Sequence, residues 1–338
     1  MKTSSKTWRS VFAVLLSVLL VLSTLSPMQV QASDTTLEDK VGARFWNDEP
    51  TIGFYINSAN QYLLETVPSP QFGTTAGEWS VLDLLRGMHL GYDYINHIPS
   101  DYFDGYISRF EQTISEKLGK TQYIDRNKST EYSRLMLTLS SLGYDVTAVG
   151  IEGKKYDFIE DLSESFTYAK KQGINGPIWE VIALNTGGYQ LYDNERMQLP
   201  TNKEADINTV GKMIDYILKL EITQTNGTVG GWALSGKLPD PDITGMALQS
   251  LAPYYLNEDR FNEVNPSSVT YEEFKVRVER GIKVLAEIQE DDAGYKSWGT
   301  PNSESIAQVI VALTSLNIDP LAPSITLPTI NETVSFVK

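Results

Sequence analysis

The chain has no cysteine and only two histidines in 338 residues. Without cysteine there is no thiol catalysis, no cysteine-based zinc site and no disulfide framework. A chain of this length needs none, because about 300 residues bury a sizeable core. His89 and His97 are eight positions apart, not the four that place two ligands on adjacent helix turns. His97 also precedes Pro99 in a turn, so both read as structural or surface residues. No metal or cofactor is expected, and any chemistry rests on carboxylates, tyrosines, lysines or hydroxyls. Basic residues are scarce: 28 Lys and Arg face 43 Asp and Glu, for a net charge of −15. Such a chain is poorly suited to nucleic acid or anionic lipid. Its charges are spread along the sequence and read mainly as solvated helix faces. Strand signals are nearly missing. Ser324 to Val337 is β-rich but carries Pro328, and reads as a tail or linker.

The one long apolar run lies at the start. Lys2, Lys6 and Arg9 precede the run Val11 to Leu22, broken only by Ser17. Val30-Gln31-Ala32 then supplies small residues at −3 and −1, the pattern of a secretory signal peptide cleaved after Ala32. The run is shorter than the roughly 20 residues of a membrane span. Losing the leader makes the chain three charges more negative, because it holds three cations and no anions. The expected organisation is a signal peptide over 1–32, a helical domain over 33–320, and over 321–338 a tail or the start of a further segment. The expected location is secreted or cell-surface, with no membrane span after cleavage.

After the leader, two kinds of helical segment alternate five times. The amphipathic kind covers Ile52 to Thr66, Asp101 to Leu118, Asp157 to Lys171, Ala205 to Ile222 and Tyr271 to Gln289. In the second, Phe103, Tyr106, Ile107, Phe110, Ile114 and Leu118 recur at three- and four-residue steps. Such a helix buries one stripe and wets the other face. The other kind is apolar on most faces: Trp79 to Leu85, Tyr132 to Leu142, Pro177 to Leu184, Ile243 to Leu251 and Ile306 to Leu316. These inner helices start near Glu78, Glu131, Pro177, Asp242 and Glu304, a repeat spacing of 46 to 65 residues. Ser129 or Thr130, Asp242 and Ser303 stand where N-caps belong. Gly143, Gly187 and Asn317 stand where helices stop. Helices apolar on nearly all sides favour a closed ring over an open solenoid. The fold class expected is all-α, an α/α toroid of about five outer–inner hairpins, incomplete at its C-terminus. The flank of Ile306, Val309, Ile310 and Leu313 is then expected to be less covered than its counterparts.

Certain residues resemble a known repeat. Arg280-Gly281 with Leu285, Gln289, Gly294, Tyr295 and Trp298 resembles the glutamine–tryptophan repeat of squalene and oxidosqualene cyclases. Lys212 to Trp232 is a looser copy. Gly230-Gly231-Trp232, Asp240-Pro241-Asp242-Ile243-Thr244 and Ala247 to Leu251 look like the prenyltransferase and terpenoid-cyclase toroid repeat. Gln172 to Ile178 and Ser303-Glu304-Ser305 with Ala307 to Leu313 are similar to exported Gram-positive proteins that carry this repeat without a known reaction. The resemblance spans roughly residues 45 to 320 and implies the toroid fold.

Three functions compete. The first is an exported binding or surface-interaction module whose partner is a small molecule, a glycan or a surface component. The second is a terpenoid-cyclase-like enzyme. The cyclase signature Asp-x-Asp-Asp implies Asp242 as the proton donor and Asp240 as its first acid, but Ile243 replaces the third. The structural alternative is that Asp242 caps its helix. The third is a polysaccharide hydrolase or lyase. Glu78, Glu131, Asp242 and Glu304 at inner-helix starts, with Trp79, Tyr132, Trp179, Trp232 and Trp298 nearby, would supply acid, base and sugar-stacking faces at one mouth. The alternative is that acids suit first helical turns and aromatics fill a core. The acidic stretch Glu287, Glu290, Asp291, Asp292 lacks calcium-loop spacing and reads as a solvated turn. Export separates the chain from the lipid substrates of cyclases, so the first reading is favoured.

Overall fold

The computed structural model describes residues 52–74, 77–88, 93–118, 121 and 123–336. The expected signal peptide and His89 lie outside them. The described chain is predominantly helical. In chain order the helices are α1 Ile52–Thr66, α2 Gly77–Met88, α3 Tyr102–Leu118, α4 Thr130–Ser141, α5 Phe158–Ser163, α6 Phe166–Ala169 and α7 Asn175–Gly187. They continue with α8 Asn194–Met197, α9 Thr201–Glu204, α10 Val210–Lys219, α11 Pro241–Tyr255, α12 Glu258–Val264, α13 Tyr271–Glu287 and α14 Ser303–Ser315.

The five apolar segments are α2, α4, α7, α11 and α14, and they pack in sequence order, each against the next. Small residues let them approach. A Cβ on Gly245 of α11 would sit 2.8 Å from the carbonyl oxygen of Gln308 on α14, closer than real side chains come. Val81, Leu135, Ile178, Leu248 and Ala312 along this row are fully or almost fully buried. Burying a Leu or Ile side chain stabilises the fold by about 1.5–3 kcal/mol. Four of the five run the same way. The Ser129 hydroxyl before α4 donates to Ala169 before α7, while Ser140 and Tyr189 bond at the other end. Tyr254 near the end of α11 donates to Asn185 near the end of α7. Helix α2 is offset: the Glu78 carbonyl in its first turn accepts from Thr138, in the third turn of α4.

The amphipathic segments are less regular than their periodicity suggests. The segment expected from Asp157 to Lys171 is two short helices and a 3-10 turn. It breaks because Ser165 acts as a second N-cap, accepting from the Tyr168 amide. The segment from Ala205 starts late, at Val210, because Thr209 caps it by accepting from Lys212. Gly188 rather than Gly187 takes the left-handed position after α7.

Two small antiparallel pairs are the strands found among the described residues. Strands β1 Lys296–Ser297 and β2 Thr300–Pro301 flank a two-residue turn. Strands β3 Ile325–Leu327 and β4 Glu332–Val334 form a docked hairpin within the segment expected as a tail or linker, with Pro328 between the strands. Ile325, Leu327 and Phe336 are buried. Buried Glu279 of α13 accepts the Thr329 amide at 2.8 Å, the Ile330 amide at 2.9 Å and the Thr329 hydroxyl at 2.6 Å. Lys283 pairs with Glu332. On α14, Val309 and Leu313 are buried while Ile306 and Ile310 are half-buried, so only half of the expected flank is uncovered.

Candidate functional site

The residues singled out from sequence fall into three groups. The first lies between α2 and α4. Glu78 is fully buried; its Oε1 accepts from the Gly73 amide at 3.1 Å and the Tyr106 hydroxyl at 3.2 Å. Its Oε2 lies 3.1 Å from Arg134 Nε, and the same guanidinium reaches Glu131 Oε2 at 2.7 Å. One arginine therefore ties two of the expected rim acids together. Burial raises the Glu78 proton affinity, and Arg134 only partly opposes this. Trp79 and Trp179, both half-buried, meet at 5.8 Å between ring centres.

The second group is core. Tyr132 is buried and donates to Asp161 at 2.6 Å. Burial pushes Asp161 up to about 7. Sequence reading missed Glu180, which sits fully buried on the apolar helix α7, accepts from Asn208 at 2.9 Å and is also pushed up to about 7 by burial. Its signal was a lone acid inside the apolar run Ile178-Trp179-Glu180-Val181. Asp83 on α2 is buried too, and its proton affinity is raised well above the usual range by desolvation.

The third group stands at the starts of α11 and α14 and corrects the capping assignment. Asp240, not Asp242, is the N-cap of α11, accepting from the amides of Asp242 at 3.0 Å and Ile243 at 3.1 Å. Pro241 takes the first helical position, where its missing N–H costs nothing. Asn302, not Ser303, caps α14 by accepting from Glu304. The Thr244 amide does not go to Asp242 either; it donates to the Asp240 carbonyl. Asp242 Oδ1 is buried without a hydrogen-bond partner. Burial raises its proton affinity; the Ser305 and Ser297 hydroxyls oppose this, while Asp240 and Glu304 reinforce it by like-charge repulsion.

The two helix starts are built alike. The Asp240 amide donates to the Trp232 carbonyl, and the Asn302 amide donates to the Tyr295 carbonyl. Trp232 Nε1 donates to the Ile217 carbonyl, and the Tyr295 hydroxyl to the Leu285 carbonyl. Trp232 is wholly buried against Gly281, where a Cβ would lie 2.9 Å from the indole. In this repeat Asp242 and Glu304 occupy the same position, two residues past the cap. Tyr295, rather than Trp298, takes the core place of Trp232.

Trp298 is instead 80 % exposed. With Gly299 it forms the turn between β1 and β2, at φ 54° and 78°, the type I′ conformation that prefers Asn-Gly. Ser297 beside it donates to Asp240 Oδ2 at 2.8 Å.

In the acidic turn Glu290 pairs with Lys296, and Asp292 accepts the Gly294 amide. Among the described residues no group of three or more His, Cys, Asp and Glu is arranged to hold a metal ion. His97 is exposed in a 3-10 segment. Among the described residues no helix is long and apolar enough to cross a membrane. No protein-family model matches the chain, and no curated protein or solved structure matches it.

Proposed function

We propose that this is an exported, α/α-toroid repeat protein that works as a binding or surface-interaction module without turnover, its inner wall formed by α2, α4, α7, α11 and α14. The observation that carries the reading is the state of Asp242 and Glu304, beside the cap Asp240. Among the described residues none of the three has a basic ion-pair partner. They stand at one end of two packed inner helices, beside an exposed tryptophan. That arrangement suits recognition of an external group. Glu78 and Glu131, the other candidate rim acids, are both paired with Arg134, so neither stands free as an acid or a base.

A terpenoid-cyclase-like role for Asp242 has one point in its favour, a raised proton affinity. Against it, Ile243 stands where the cyclase signature has its third acid. The cyclase signature's first acid, Asp240, is occupied by two amides and Ser297.

Expression of the tagged full chain in an exporting Gram-positive host tests the proposal. It should appear outside the cell with Ser33 as its first residue, and the purified mature chain should cosediment with isolated cell walls. Retention in the cytoplasm with Met1 or Lys2 as the first residue would contradict it.

A further inference from the structure

The matched construction of the two helix starts has a counterpart above them. Residues 233–239 fill the gap between Trp232 and the cap Asp240, and residues 296–301 fill the gap between Tyr295 and the cap Asn302. In repeat proteins, insertions at equivalent points gather on one face. Both loops carry large apolar side chains outward: Leu234 at 51 % and Leu238 at 72 % exposure in one, Trp298 at 80 % in the other. The Ser297–Asp240 bond joins the bases of the two loops. Exposed apolar side chains brought to one face by joined loops mark interaction surfaces.

The backbone adds independent support. A bulky residue at positive φ is an outlier, and the strain costs on the order of 1 kcal/mol. Trp298 pays this cost without contributing to the core, because Tyr295 already fills the place that Trp232 fills one repeat earlier. Such strain is kept where the side chain is needed outside.

The floor beneath the tips is Asp240, Asp242 and Glu304, with no basic partner among the described residues; Lys237 in the first loop forms no ion pair there. The complement is a ligand with positive charge flanked by apolar groups. Several points of contact spread over two loops call for a chain rather than a small amine. We infer that the rim formed by residues 233–239 and 296–301 docks a basic amphipathic peptide segment, its cations over Asp242 and Glu304 and its apolar side chains against Trp298 and Leu238. Trp298 adds a face for a lysine or arginine head. This rests on the binding-module reading and names the partner class.

The test uses the mature chain and a fluorescein-labelled synthetic peptide of alternating Leu and Lys, followed by anisotropy. Saturable binding that weakens as salt rises is expected. Trp298→Asn should weaken it about tenfold while raising the melting temperature, since Asn suits the turn. The pair Asp242→Asn and Glu304→Gln should weaken it similarly and flatten the salt dependence. No saturable binding would overturn the inference. So would equal binding of a Leu–Glu peptide, which marks mere apolar adhesion, or binding unchanged in Trp298→Asn. Self-association of the unliganded chain that Trp298→Asn abolishes would assign the rim to a second copy and overturn it as well. If the peptide fails while the chain still cosediments with cell walls, the peptide site is wrong and the binding-module reading stands. If both fail, that reading falls too.

Discussion

Arg134 Nε lies 3.1 Å from Oε2 of Glu78, a carboxylate buried one helix away in the row. Removing one member of a buried pair leaves the other charge uncompensated, which costs about 3–5 kcal/mol. Arg134→Met should therefore destabilise the protein by about 3 kcal/mol in urea denaturation, at the lower end because Arg134 is partly solvated. Adding Glu78→Gln to that variant should restore most of the loss. A double variant as unstable as the single would show that the pair is not what holds Glu78.

The caps make a second, sharply divided expectation. Asp240→Ala removes the side-chain acceptor for two amides and should cost about 1 kcal/mol. Asp242→Asn removes no cap bond and relieves repulsion from Asp240 and Glu304, so stability at neutral pH should hold or rise. Denaturation of the two variants side by side reads the difference; an Asp242 loss matching that of Asp240 would restore Asp242 as the cap.

Buried acids set the pH dependence. Glu180 and Asp161 are pushed up to about 7 by burial, and Asp83 is raised as well. In the unfolded chain these groups ionise near pH 4 to 4.5. Between that range and about pH 7 the folded state holds more protons, so stability falls as pH rises. For Glu180 the full effect is about 3 kcal/mol, reached above pH 7. Glu180→Gln should flatten this part of the stability profile. A profile of the same slope in that variant would remove Glu180 as a cause.

The C-terminal hairpin hangs on one carboxylate. Glu279→Gln weakens charge-assisted bonds to Thr329 and Ile330 and should cost about 1.5–3 kcal/mol. Limited proteolysis should then cut within 321–336 faster than in the parent chain. Unchanged cleavage would mean that Ile325, Leu327 and Phe336 hold the hairpin by burial alone.

Much of this was legible in the sequence. Helix α1 begins and ends at the expected residues, and all five apolar segments are helices within a few residues of their expected starts, because the first signal is periodic and the second is an apolar run between turn and cap residues. Failures came where one polar residue decides the geometry. Asp240 and Asp242 both suit a cap, and periodicity cannot choose; Pro241, fixed at the first helical position, does. Ser165 broke an amphipathic stretch that reads as continuous. Arg134 and Glu180 were hidden because partners distant in sequence, Glu78 and Asn208, give them their meaning. Trp298 was expected among site aromatics, but only the observed backbone separates its role from that of buried Trp232.

The central claim is that the acidic end of the inner helices recognises a partner and carries no turnover. The most direct measurement is product analysis by mass spectrometry after incubating the purified mature chain, and its Asp242→Asn variant, with squalene and with polyprenyl diphosphates. The account predicts recovered substrate in every sample, with no difference between the two proteins. A cyclised or hydrated product formed by the parent chain and lost in Asp242→Asn would contradict it.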